Sequence, residues 1–179
     1  MATPVGCDCC AGFGTHRLDR RWLLGAMAAA VPLRGAWAKG KYGDYEAMVL
    51  SCIDPRMQKP VFSYLTEREL VGKYSSFTIA GAAIGVVAPA FDKWHKAFWE
   101  NLATSIELHH IKSVIAIDHR DCGAAKIAYG ETSIATREAE DATHRQALAE
   151  FRRMVAERHP GLGVETILMG LDGSEMMLG

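Results

Sequence analysis

Short apolar runs alternate along this chain with stretches in which apolar residues return every three or four positions. Glu46-Ala47-Met48-Val49-Leu50-Ser51 reads as a buried strand that ends at Cys52. Ser76-Phe77-Thr78-Ile79 predicts a second strand, closed by Ala80-Gly81. Ser113-Val114-Ile115-Ala116-Ile117 predicts a third, ending at Asp118-His119, and Val164 to Met169 a fourth. Pro55 and Pro60 punctuate a loop, after which Val61, Phe62, Leu65, Leu70 and Val71 follow a helical pattern. Ala82 to Ala88 is small and apolar, a loop or a helix start. Phe91, Trp94, Phe98, Leu102 and Ile106 recur at helical spacing, which predicts an amphipathic helix over roughly 90–110. A long, charged, Ala-rich helix is expected over about 134–158, stopped by His159-Pro160-Gly161. Strands alternating with helices predict an α/β fold: a mainly parallel four- to five-stranded sheet flanked by helices. Ligands bind outside the carboxyl ends of such strands. Cys52 ends the first strand and His119 the third, so both belong to one rim of the sheet.

Residues 1–38 follow neither rhythm. Arg20-Arg21 is followed by a short apolar run from Trp22 to Val31, and Ala36-Trp37-Ala38 offers small residues at the positions a signal peptidase inspects. The segment looks like a Tat-type signal peptide. This reading divides the chain into a signal at 1–38 and a domain at 39–179, and it predicts a periplasmic or secreted protein. It also sorts the cysteines: Cys7, Cys9 and Cys10 leave with the signal, and Cys52 and Cys122 remain.

Composition narrows the partners. The 179 residues carry a formal net charge of -1, without the basic excess that nucleic acid requires. No apolar stretch is long enough for a membrane span in the mature chain. Gly81 and Gly85 do not form a dinucleotide fingerprint. His95, His109 and His110 fall on the helix over 90–110 and suit surface or packing roles, as do Trp94, Phe98 and Trp99 for core or subunit contact. His144 and His159 read as solvated.

Two motifs carry chemistry. Cys52-Ile53-Asp54-Pro55-Arg56 is a C-x-D-x-R, and His119-Arg120-Asp121-Cys122-Gly123 is an H-x-x-C-G. Thiolate and imidazole are the donors zinc prefers, and three protein ligands leave a fourth position open for chemistry. Cys52, His119 and Cys122 are therefore the candidate zinc ligands. Asp54 stands two residues from a ligand, where it can accept the proton of a hydroxide on the metal. Arg56 can pair with Asp54 and keep it ionised and aimed. A disulfide between Cys52 and Cys122 is the competing reading for an exported protein, but it leaves Asp54, Arg56 and His119 unexplained.

These motifs resemble those of β-class carbonic anhydrases, in outline from about residue 46 to residue 178. The resemblance implies that fold, with Cys52, His119 and Cys122 holding Zn2+ and Asp54 and Arg56 forming the family's catalytic Asp–Arg dyad. It implies reversible hydration of carbon dioxide to bicarbonate by zinc-bound hydroxide, and a homodimer or higher homo-oligomer. Met169-Gly170-Leu171-Asp172-Gly173 is similar to the family's last core strand and turn. The chain departs from the family where Thr78-Ile79-Ala80-Gly81-Ala82 stands in place of an Arg-Asn-Ala-Gly-Asn stretch. Hydrolases of carbonyl sulfide and carbon disulfide share the zinc motifs, and a non-catalytic zinc-binding protein is the reading from a different class.

Overall fold

The computed structural model describes residues 43–178. The expected signal segment at 1–38, with Cys7, Cys9 and Cys10, lies outside the described residues. In chain order the elements are β1 (Ala47–Ser51), α1 (Gln58–Glu67), β2 (Tyr74–Thr78), α2 (Ala83–Val87), α3 (Asp92–His109), β3 (Ser113–His119), α4 (Gly123–Tyr129), α5 (Arg137–Arg158), β4 (Gly163–Met169) and β5 (Glu175–Met177). The strands form one sheet in the order β2-β1-β3-β4-β5. The first four are parallel, and β5 returns antiparallel against β4.

The central strands are apolar on both faces because helices cover both. Met48 and Leu50 of β1, with Val114 and Ala116 of β3, point to one side, where α2, α3 and α5 supply Ala83, Val86, Phe98, Leu102, Leu148, Phe151 and Val155. Ala47, Val49, Ile115 and Ile117 point to the other side and meet Tyr64 and Leu65 of α1. This alternation follows from the two-residue period of a strand. Phe98 and Phe151 are fully buried with ring centroids 5.6 Å apart. Truncating either to Ala is expected to cost about 3–5 kcal/mol.

The four strands and the two long helices predicted from the sequence are all present. The last helix starts later than expected, because a short 3-10 turn over Glu131–Ile134 precedes it. Thr136 then adopts an extended conformation and its hydroxyl accepts the Ala139 N–H, a cap that sets the start of α5. Residues 82–88 resolve into α2, and α4 and β5 are additions. The apolar stripe of α3 is spent on the core: Phe98 and Leu102 are buried and Trp99 packs against the same cluster, which leaves Trp94 partly exposed and stacked on Phe91. His144, expected to be solvated, is fully buried on the inner face of α5. The register explains the rim: Ser51 pairs with Ile117, so β1 ends beside the last turn of β3, and Cys52 and His119 leave the sheet together.

Candidate metal centre and active site

Cys52 follows the last residue of β1, His119 is the last residue of β3, and Cys122 is the residue before α4. Their ligand atoms all lie within 4.8 Å of one another. The tight turn between His119 and Cys122 needs Asp121 in the left-handed region, at φ 54. That conformation turns the chain sharply enough for both side chains to face one point. Among the described residues this is the group of His, Cys, Asp and Glu side chains placed to hold a metal.

The donor set fits zinc. His119 Nδ1 lies 2.8 Å from the Arg120 carbonyl oxygen, which can only accept, so Nδ1 carries the proton and Nε2 is left as a donor for a metal. Nε2 is buried with no well-aligned hydrogen-bond partner, although the Cys52 sulfur is close enough to influence it. A buried nitrogen in that condition is costly unless something coordinates it. The Gly81 N–H donates to Cys52 Sγ at 3.2 Å. The hydrogen bond from the Cys122 thiol lowers the Cys52 thiol to about 4, against burial and with help from His119 and the Gly81 and Asp54 amides. Cys122 moves the opposite way, because its proton is shared with Cys52 and because it is buried. A cation replacing that shared proton would hold both sulfurs as thiolates. The His119 imidazole is pushed upward: burial opposes this, and the Cys52 contacts outweigh it.

Asp54 and Arg56 stand at the mouth of this cluster. Asp54 Oδ2 is 4.0 Å from His119 Nε2. Arg56 donates from Nε to Asp54 Oδ1 at 3.0 Å and from Nη2 to Oδ2 at 2.7 Å, a two-pronged grip. The hydrogen bonds from Arg56 hold the Asp54 carboxyl down at about 2. Arg56 also reaches across to the other motif, donating to Asp121 Oδ2 at 2.8 Å and to the Asp121 carbonyl at 3.1 Å. The guanidinium thus ties together the two turns that carry the candidate ligands.

Gly81 lies where these turns meet. Its φ is +79, and a Cβ there would come within 2.9 Å of the Ala124 side chain. The next residue, Ala82, also has positive φ, at 47, and is fully buried. The Ala-Gly that this chain retains from the Arg-Asn-Ala-Gly-Asn stretch is therefore Ala80-Gly81, the part that brings an N–H to the Cys52 sulfur.

A family model described as "Putative carbonic anhydrase" matches residues 43–157. The chain belongs to this carbonic anhydrase family. It is 32% identical over 130 residues to uncharacterized proteins of Rickettsia conorii and Rickettsia bellii, which covers 73% of this chain and 70% and 79% of theirs. Its fold is similar to that of solved β-carbonic anhydrases at low sequence identity. The enzyme of Aspergillus fumigatus is 16% identical with a TM-score of 0.53, over 82% of this chain and 80% of that one. The Coccomyxa enzyme, solved with acetazolamide, is 14% identical with a TM-score of 0.52, over 80% and 79%.

The structure brings together every residue that the two motifs nominated: Cys52, Asp54, Arg56, His119 and Cys122. Residues that the motifs did not reveal also reach the site's surroundings. Asp118 and His144 form a fully buried pair at 2.8 Å, and Asp118 also accepts the Ala83 N–H at 2.9 Å. Glu140 accepts the Asp121 N–H and pairs with Arg120 at 2.8 Å. A signal was present, since a charged residue and a histidine four apart on a helix share one face. Nothing in the sequence said that this face was the inner one.

Proposed function

We propose that the chain is a zinc-dependent carbonic anhydrase, with Cys52, His119 and Cys122 as metal ligands and Asp54 and Arg56 as the catalytic dyad. The observation that carries this reading is the gripped Asp54 carboxylate 4.0 Å from His119 Nε2. A zinc serving structure alone needs no such group beside an open fourth position. Bound zinc would supply a strong nucleophile at neutral pH by acidifying water. Asp54, acceptor-only when ionised, is placed to accept the O–H of the attacking oxygen in a hydrogen bond and would so orient it. Arg56 keeps Asp54 ionised and prevents it from rotating. Ile53, Met57, Val61, Phe62 and Leu65, together with the polar Ser51, Gln58, Tyr74 and Thr78, line a hollow of about 280 Å3 that reaches Cys52, a partly apolar space that would admit a small uncharged molecule such as carbon dioxide. Hydration would form one C–O bond from water to the carbon as one C=O π bond opens, giving bicarbonate, and the proton lost from water would pass to buffer.

Stopped-flow measurement of carbon dioxide hydration by the zinc-loaded protein tests this, with parallel assays on carbonyl sulfide and carbon disulfide. A hydration rate well above buffer is expected. One zinc per chain with no rate above buffer on carbon dioxide would sink the assignment, and turnover of the sulfur gases alone would reassign the substrate.

Two further elements belong to the same proposal. Residues 1–38 export the folded, metal-filled protein, which protects its two remaining thiols from oxidation, and replacing Arg20 and Arg21 with Lys should retain the protein in the cytoplasm. A homodimer, or a larger assembly like the tetrameric β-carbonic anhydrases of Sordaria macrospora, is expected in solution. Ile53 and Phe62, more than half exposed beside the site, suit such a contact. Light scattering on the purified protein checks the assembly.

A further inference from the structure

The residues on either side of His119 are gripped by α5, which contributes no metal ligand. Before it, Asp118 Oδ2 meets His144 Nδ1 at 2.8 Å, with both side chains fully buried. After it, Arg120 pairs with Glu140 at 2.8 Å and with Asp141 at 2.7 Å, and Glu140 accepts the Asp121 N–H. Glu140 and His144 lie one helical turn apart on the same face of α5. The grip therefore covers residues 118, 120 and 121, leaving His119 and Cys122 free to point at the metal.

Two features of this grip are costly unless it has a purpose. His144 Nε2 is buried without a hydrogen-bond partner, so the imidazole is only half satisfied. The Arg120–Glu140–Asp141 cluster withdraws charge from water, with Arg120 and Glu140 each nine-tenths buried, and such clusters contribute little to stability on balance. What they supply is a single arrangement of the turn, including the left-handed Asp121.

We propose that Glu140 and His144 are positioning residues for the metal centre: α5 holds the turn from Asp118 to Cys122 in its ligating shape before metal arrives. This rests on the reading of Cys52, His119 and Cys122 as ligands. The two residues act through the turn and touch neither metal nor substrate.

Cobalt substitution tests it, because the visible bands of a cobalt–thiolate site report coordination geometry independently of turnover. His144→Leu removes the donor that Asp118 uses, while His144→Asn keeps an N–H near the position of Nδ1. His144→Leu is expected to shift the cobalt bands and to release zinc to a chelator about 10–100-fold faster, and His144→Asn to restore most of both. Glu140→Gln keeps the acceptor for the Asp121 N–H and should disturb the bands less than Glu140→Ala. This second pair carries the test should His144→Leu fail to fold. Variants that melt earlier but keep wild-type bands and release rates would overturn the proposal and leave α5 as scaffold only.

If the wild-type chain takes up neither cobalt nor zinc, the ligand assignment itself fails. Hydrogen exchange at the Asp121 amide of the metal-free protein then decides on the grip alone. Protection that is lost in Glu140→Ala supports a pre-shaped turn, and rapid exchange in the wild type overturns it.

Discussion

The two arms of the candidate metal site are built in opposite ways. The Cys52 arm is local and wet: Asp54 and Arg56 lie within four residues of the ligand, and the Arg56 side chain is 46% exposed. The His119–Cys122 arm is remote and dry: its supports come from α5, about twenty residues further on, and Asp118 and His144 are fully out of water. The difference follows from what each arm must do. A carboxylate that is to orient a small molecule beside the cluster has to face the opening, whereas a turn that would present two donors to one ion gains from being fixed in a dense interior. Exposed pairs are held by geometry and many hydrogen bonds, and buried pairs by the lack of any alternative.

This contrast can be broken most severely at the dry arm. Cys122→Ser should leave the purified protein essentially free of zinc by elemental analysis, because the donor lies in a buried site that nothing else can fill. Tight zinc retention in that variant would refute the ligand assignment. At the wet arm, Arg56→Ala should lower carbon dioxide hydration by roughly 10–100-fold, by analogy with other groups that orient a metal site. Its unfolding free energy should change by about 1 kcal/mol or less, since the ion pair is exposed. A large loss of stability with unchanged turnover would invert the roles assigned to the two arms.

Gly81→Ala strikes where the arms meet, through a backbone at φ +79 and a Cβ within 2.9 Å of Ala124. A destabilisation of about 1–3 kcal/mol is expected in urea titration, with a weakened hold on metal through the Cys52 contact.

The smallest effect concerns acid. Asp54 is held at about 2 in the folded chain against an ordinary 3.8. A carboxyl lowered by folding stabilises the fold above its unfolded value and loses that contribution as pH falls through its folded value. The stability difference between wild type and Asp54→Asn should therefore be constant near neutrality and shrink between about pH 4 and pH 2. A difference that grows toward acid would contradict the pairing with Arg56.

The same division between arms describes what could be read from the amino-acid order. The C-x-D-x-R and H-x-x-C-G motifs were legible because their partners are near in sequence and lie at strand ends that hydrophobic runs locate unaided. His144 was misread as solvated. It lies in a charged, Ala-rich helix whose polar residues disguise the inner face, and a helical period cannot say which polar residue turns inward when a buried partner is waiting for it. The short β5 was hidden for another reason: three residues carry too little period to register, and the strand exists because the turn from Gly170 to Ser174 folds it back onto β4.

The sequence by itself determined the alternation of strands and helices, the parallel sheet, and the five residues of the two motifs, since each is a matter of local period or spacing. Only the tertiary structure decided that Arg56 spans both motifs through Asp121, that Gly81 brings its N–H to Cys52, and that α5 closes on both sides of His119. Those contacts join residues from 19 to 65 positions apart. They depend on which helix face meets the sheet, and that is settled by packing the whole core at once.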